Sequence, residues 1–497
     1  MATARGGWWG ILGAGTNAVL GFALVVLVTR AVGAQGAGAV FTGVAVFTIL
    51  SNTCKLGADT GLVRFVSRGL ATDGGRGVGA LLRAAVVPCA VASTASAVLL
   101  YTSPLLATSL LPALPPGEAL ALIQLFALFL PPATVSLVLL GATQGHGTVL
   151  PFVGVEQIGK PVLRVLLAVP IAILTPGVLE LSAAWLAPSL AGAVAAWVAL
   201  RRCRVTHGSA QRPEDPPPWR EFWSFAGPRA ISSIFDICAV WVGVILLSAL
   251  ATSEEAGVYT AIGRIVTAGT LLQLAIRLAV APEISRLLAV GAIHQARGLH
   301  RISTRWIVLF SWPLLVLLAC FPGTVLSVFG TGFDRGADAL LVLCAASVVN
   351  ISVGNAQTVL LMAGRSAWHL AVTGAAFTAQ VVIGLLLVPR WGVMGAAISW
   401  AVAIVLENLV AAALVRDRLG FRTVDRGYRL AVVLGLCLTA VLVIPARVFM
   451  GDTVSGLAAG ISLLICVFSV SSWRYRRTLG INDFVGVLRS RVTVRSA

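Results

Sequence analysis

The chain has 497 residues, a mean hydropathy of +0.95, 58% hydrophobic residues and only 11% charged ones, against roughly 25% charged residues in soluble domains. That composition excludes a soluble globular enzyme and describes an all-α polytopic membrane protein, because apolar runs of about 20 residues in lipid must satisfy their own backbone groups and do so as helices. A net charge of +17 would suggest a nucleic-acid partner if it were gathered on a soluble surface, but its placement along this chain reports membrane orientation and no nucleic-acid role.

In chain order, about fourteen transmembrane helices are expected. The first half gives spans at 8–31, 38–60, 84–106, 119–141, 161–176, 179–200 and 226–250. The second half gives 256–280, 305–328, 338–361, 367–388, 392–415, 429–449 and 453–473. The stretch that opens the chain, MATARGG and the apolar run behind it, is too long for a cleaved signal and reads as span 1. The weakest span, 161–176, contains Pro170. With the N-terminus cytoplasmic, loops on that side hold 28 of the 36 basic residues, Lys160 and Arg164 among them. The opposite loops hold four, Arg30, Arg335, Arg390 and Arg447, so both termini are expected in the cytoplasm and the protein in the plasma (inner) membrane.

After six spans comes the one sizeable polar connector, RRCRVTHGSAQRPEDPPPWREFW, whose proline-rich, charged composition is that of a hinge. Across it an offset of 218 aligns GAVFT at Gly38 with AGVYT at Ala256, and VSRGLA at Val66 with ISRLLA at Ile284. Two matches in one register favour an internal duplication. The expected organisation is an N-lobe at 1–200, a cytoplasmic linker at 201–224, a pseudo-symmetric C-lobe at 225–416, and spans 13 and 14 with a basic tail at 417–497. Because six is even, the two six-helix lobes run parallel and would enclose a central cavity.

Span 2 carries Thr48, Asn52, Lys55 and Asp59 at spacings of four, three and four, which puts them on one helix face. Span 8 carries Thr260, Arg264, Thr267, Thr270, Gln273 and Arg277 in the same way, and the offset pairs Lys55 with Gln273 and Asp59 with Arg277. Charges within a span usually face a bundle interior or a water-filled cavity. The candidate cavity residues are therefore Asn52, Lys55, Asp59, Asp236, Arg264, Gln273 and Arg277, with Asp236 the most plausible partner of Arg264. A plainer reading stays open: Lys55 and Asp59 form a local pair, and Arg277 snorkels to the interface.

Other signals are weaker. GVEQIGKP at Gly154 matches the phosphate-loop spacing, but Pro161 replaces the Ser or Thr that would hold magnesium and no strand precedes it. Glu156, Lys160 and Arg164, four apart, instead suggest an amphipathic cytoplasmic approach to span 5. His146, His207, His294 and His300 fall in expected loops without metal-ligand spacing, and the eight scattered cysteines form no paired pattern. Neither a metal nor a cofactor is expected. No acid/base constellation marks an enzyme.

The segments KLGADTGLVRFVSRGLA, AGVYTAIGRIV and LLMAGRSAWHLAVTGAAFTAQVVIGLLLVPRWGVMGAAISW resemble the polysaccharide or lipid-linked oligosaccharide flippases (Wzx-like, with a MATE-like fold) of the multidrug/oligosaccharidyl-lipid/polysaccharide exporter superfamily. PRWGVMGAAIS is the most specific of them, and looks like the family's turn between spans 11 and 12. The resemblance implies a transporter that moves a polyprenyl-diphosphate-linked glycan across the plasma membrane by alternating access. It also implies a coupling cation, proton or sodium, and functional partners among glycan polymerases or glycosyltransferases. A cation-coupled multidrug exporter of the same superfamily is the alternative, though its often cationic substrates call for an acidic cavity. A membrane glycan polymerase or glycosyltransferase would normally show a large outer loop or a D-x-D site, and neither occurs.

Overall fold

The computed structural model describes residues 2–72, 77–206, 219–421 and 423–474. Most of the polar connector, 207–218, and the basic tail, 475–497, lie outside the described residues. Helices make up nearly all of the rest, and no strand occurs among the described residues. Eleven helical segments are long and apolar enough to cross a membrane, and Val454–Cys466 is a shorter apolar helix. Two of the eleven, Leu12–Leu70 and Ser366–Leu419, have room for two crossings each and are broken at glycines with positive φ, Gly33 (67°) and Gly392 (47°). Fourteen spans are consistent with this.

The chain forms two compact units, Met1–Thr260 with Leu385–Ala396, and Ala261–Gly384 with Ala397–Ala497. The first holds α1 (Ala2–Cys54), α2 (Ala58–Thr72), α3 (Val78–Tyr101), α4 (Pro116–Gly145), α5 (Leu150–Leu174), α6 (Val178–Val205), α7 (Trp219–Leu250) and the start of α8 (Ser253–Ala289). Lipid tails are as apolar as leucine, so close packing rather than water exclusion must hold these helices together, and small residues permit it. Gly141 and Gly145 of α4 lie against the backbone of α2 at Asp59 and Leu62, and Ser67 donates to the Gly145 carbonyl at 2.8 Å. Gly61 leaves room for the ring of Phe222 on α7, which meets Phe65 edge-on at 5.6 Å. In α4, Phe126 packs with Phe47 and Trp185 at 5.9 and 6.3 Å, in space left by Gly43.

The two segments that match at an offset of 218 behave alike at their threonines. Thr42 and Thr260 are both buried, and each donates to the carbonyl four residues earlier, Gly38 and Ala256, at 2.8 Å. Around them two backbones approach without side chains between: a Cβ on Gly38 would fall on the Ser253 carbonyl, and one on Gly257 on the Ala34 carbonyl. The PRWGV turn has a similar cause. Gly392 takes a left-handed φ, any side chain there would collide with the Glu255 carboxylate, and Gly395 packs on the backbone of Leu387 and Val388.

The second unit holds the rest of α8 with α9 (Ile293–Cys320), α10 (Ala337–Ser352), most of α11 (Ser366–Leu419), α12 (Arg426–Met450) and α13 (Val454–Arg474). The last two helices have no counterpart in the first half of the sequence, and α12 is fastened at both its ends by aspartates. Asp425 caps α12 by accepting from the Tyr428 amide at 2.8 Å, and pairs with Arg305 of α9, whose Nε donates at 3.1 Å. Asp452, between α12 and α13, accepts from the Gly323 and Thr324 amides at 2.8 and 3.0 Å and from the Thr324 hydroxyl at 2.6 Å. Burial pushes both carboxyls up. For Asp425 the Arg305 guanidinium and the Tyr428 amide outweigh it, for Asp452 the Thr324 hydroxyl and the two amides do, and both titrate below their ordinary range. Between the clamps, Leu317 and Phe321 form a core with Val443 and Ala446.

Candidate functional site

In the first unit the polar stripe of span 2 lies where the helix breaks. α1 ends at Cys54, Lys55–Gly57 form a turn, and α2 starts at Ala58. Leu56 has φ 51° and Gly57 φ 72°, and Leu56 is the one non-glycine residue with positive φ among the described residues. That conformation costs an L-residue roughly 1–2 kcal/mol, and it persists because the surroundings fix it. A Cβ on Gly57 would strike the Ala226 carbonyl, and the Cys89 thiol donates to the Lys55 carbonyl at 3.2 Å. Lys55 Nζ reaches across the break to Asp59 Oδ2 at 2.9 Å, with 14% and 25% of the two side chains exposed. The local pairing left open by the sequence thus forms, but it spans an unwound turn that the spacing alone did not reveal. Asn52, half-buried, donates to the Thr48 carbonyl at 2.9 Å. Asp236 is exposed on α7.

In the second unit α8 is unbroken through its stripe. Thr267 and Arg277 are exposed, Arg264, Thr270 and Gln273 half-buried, while Ile262, Ile265, Val266 and Ile276 turn into the core. The Thr267 and Thr270 hydroxyls return to their own helix, on Gly263 and Thr267 carbonyls, at 2.7 and 3.0 Å. At 100° per residue Arg264 and Arg277 point about 140° apart around the helix, so they share α8 but not one face, with Arg277 exposed and Arg264 half-buried. Of the seven candidate residues, the structure brings Lys55 and Asp59 together, puts Asn52 on the same stretch, and gathers Arg264, Gln273 and Arg277 on one helix of the other unit.

Two polar sets were missed or misplaced by the sequence reading. Glu156, Lys160 and Arg164 lie inside α5, which begins at Leu150, eleven residues before the expected span, so the approach to span 5 and the span are one helix. A π-helical stretch, Val153–Gly159, bridges into Pro161. Lys160 is only 5% exposed and pairs with Glu156, the Ser136 hydroxyl lies 3.4 Å from that carboxylate, and Gly192 makes room for the lysine chain. Arg164 stacks on Trp185 at 3.8 Å and donates to its carbonyl at 3.0 Å. The second set is Glu407, which accepts from the Thr373 hydroxyl at 3.0 Å within α11; a lone carboxylate deep in span 12 was the signal. His300 is buried against Phe421 and His146 bonds to the Ala142 carbonyl at 2.9 Å, so neither is a solvated loop residue. His207 lies outside the described residues. No group of three or more His, Cys, Asp or Glu is arranged to hold a metal ion among the described residues.

The sequence model of the family described as polysaccharide biosynthesis protein matches residues 3–288. No curated protein sequence matches the chain. Among solved structures, the fold is similar to the lipid II flippase MurJ in an inward closed conformation, with TM-score 0.75 at 12% identity over 94% of this chain and 98% of that one. It is also similar to a variant of the Vibrio cholerae MATE transporter VcmN, with TM-score 0.60 at 16% identity over 86% and 98%. A MOP superfamily transporter from Pyrococcus furiosus, whose binding pocket has reverse polarity, aligns with TM-score 0.60 at 16% identity over 84% and 95%.

Proposed function

The chain belongs to the polysaccharide biosynthesis protein family, and on that premise we propose that it is a flippase, carrying a polyprenyl-diphosphate-linked oligosaccharide or polysaccharide precursor across the plasma membrane by alternating access. It is a transporter and not a catalyst. The observation that supports this reading is the pair of guanidinium groups within one expected span, Arg264 half-buried and Arg277 exposed on the unbroken α8. Guanidinium groups suit a diphosphate because their fork binds two oxygens at once. Asn52, Lys55, Asp59 and Asp236 complete the set of groups the cargo would meet. The match to a lipid II flippase fold supports a lipid-linked cargo. The lobes at 1–200 and 225–416 rock about the 201–224 linker, with spans 13 and 14 following the C-lobe. The 28 to four bias of loop basic residues supports cytoplasmic termini, although Lys160 and Arg164 leave that tally now that α5 contains them. A proton or sodium gradient drives the cycle, and glycan polymerases or glycosyltransferases of the pathway take up or supply the cargo.

The test is translocation of a labelled polyprenyl-diphosphate-linked glycan in proteoliposomes. Arg264→Gln with Arg277→Gln should lower the rate about tenfold or more at unchanged abundance, the effect of a lost charge-assisted contact. The corresponding Arg→Lys changes should keep part of the activity. Wild-type rates in the double Gln variant would rule the binding role out. The MATE-like fold also fits export of drugs; efflux of a lipophilic cation without glycan translocation would favour that reading instead.

A further inference from the structure

We infer that Asp59 is an internal stand-in for the cargo's diphosphate: it holds the Lys55 ammonium while the site is empty and yields it to the arriving phosphate, which frees the break in helix 2. The inference rests on the cargo proposed above and adds to it a residue that competes with the cargo.

Three independent features carry it. The ion pair does not lie along a continuous helix but joins the first residue of the turn to the first turn of α2, at 2.9 Å. Its carboxylate stands at the N-terminus of α2, a helix of 15 residues, where free amides and the helix dipole favour an anion. A monocarboxylate there can be displaced by a diphosphate, which carries more charge and more acceptor oxygens for the same ammonium. Finally, the break is strained and lightly held. Besides the ion pair, its hydrogen bonds among the described residues are Leu56 amide to Thr53 carbonyl at 3.0 Å, Ala58 amide to Lys55 carbonyl at 2.8 Å, Gly61 amide to Gly57 carbonyl at 3.0 Å, and the Cys89 thiol to the Lys55 carbonyl. With Leu56 at a left-handed φ, loss of the ion pair removes the one bond between side chains that crosses the turn and releases a conformation the leucine disfavours. Ligand exchange at Lys55 is thereby coupled to movement of the α2 half of the helix.

Cys89 is a native reporter, because its thiol is fully buried while it donates to the carbonyl at the break. The experiment uses the whole chain in detergent, farnesyl diphosphate as probe, farnesol as the uncharged control, and site-resolved mass spectrometry of N-ethylmaleimide labelling. In the wild type the diphosphate, and not farnesol, should speed labelling of Cys89 several-fold. Asp59→Asn should bind the probe about tenfold more tightly, the effect of removing a competing ion pair. It should also label at Cys89 without probe, and turn over glycan more slowly because nothing reclaims Lys55 for release. Asp59→Glu, which keeps a carboxylate, should fall between, and Lys55→Met should lose the response to diphosphate. Affinity and turnover moving in opposite directions is what a purely structural staple would not produce. If Asp59→Asn binds no more tightly, or if wild-type Cys89 stays protected with probe bound while glycan is still transported, the exchange is wrong and the cargo reading stands. Absence of diphosphate binding in wild type and Asp59→Asn alike would overturn both.

Discussion

The same sequence pattern runs through the inner part of α1–α2 and through α8, yet one breaks and the other stays straight. At the offset of 218, Lys55, Leu56, Gly57 and Asp59 correspond to Gln273, Leu274, Ala275 and Arg277. Upstream the copies agree down to the threonine bonds at Thr42 and Thr260. They part where glycine stands in one and alanine in the other. Gly57 sits at φ 72° with its α-carbon against the Ala226 carbonyl, whereas α8 is unbroken through Ala275. Polarity parts there too: the broken copy neutralises its own lysine with Asp59, while its counterpart has an arginine in place of the aspartate. A duplicated helix has thus become a self-paired, strained element in one unit and a straight cationic one in the other.

The largest expected effect on this contrast comes from Gly57→Ala. A β-carbon there must occupy a left-handed conformation and displace the Ala226 carbonyl, so stability should fall by roughly 2–4 kcal/mol, read as a lower unfolding midpoint in detergent. An unchanged midpoint would mean the break is not needed. Acid should separate the units next. Asp425 and Asp452 are held below their ordinary range in the folded chain, so the stability they contribute is present above the unfolded carboxylate value near 3.9 and is lost as pH falls from there through the lower folded values. Asp425→Asn with Asp452→Asn should be less stable at neutral pH and should flatten that acid decline; a decline as steep as in the wild type would assign it to other groups. Ala275→Gly, which copies the glycine into α8, should cost about 1 kcal/mol, the helix-propensity difference between the two residues, without unwinding the helix. Deuterium exchange of the α8 amides would report unwinding if it occurs. The smallest change is Leu56→Gly, where relief of left-handed strain and loss of leucine packing oppose each other; a gain within about 1 kcal/mol is expected.

The all-helical class, the spans and the glycine turn at Gly392 were legible because lipid imposes length and composition on a spanning helix, and because a sharp reversal needs a residue without Cβ. The sequence positions of Arg264 and Arg277 within span 8 were legible, whereas the half-burial of the one and the exposure of the other were not. The break at Leu56 was not, because leucine carries no signal for a left-handed φ; the Ala226 carbonyl, the Cys89 thiol and Asp59 impose it from distant parts of the sequence or across the turn. The start of α5 was placed late because the polar Glu156 and Lys160 ended the apolar run, while the helix itself continues through them. His300 and Lys160 sit near expected helix ends, where charge and polarity suggest solvent, and only the tertiary packing of Phe421 or Gly192 reveals their burial.

The approach of Gly38 to Ser253 and of Gly257 to Ala34 has a mechanical consequence. Two backbones that touch with no side chains between them have nothing to withdraw when they part, and their adhesion is the weak sum of dispersion and Cα–H···O contacts. Further along the same pairing of α1–α2 with α7–α8, Phe65 is wedged edge-on against Phe222 at 5.6 Å and Phe225 at 6.2 Å, and separation there requires rings to change rotamer. The pairing is therefore smooth at one end and toothed at the other, and under load its smooth end gives first. A methyl group added by Gly38→Ala would wedge that end apart, and a cysteine pair spanning it should lose its cross-link before one at the toothed end does.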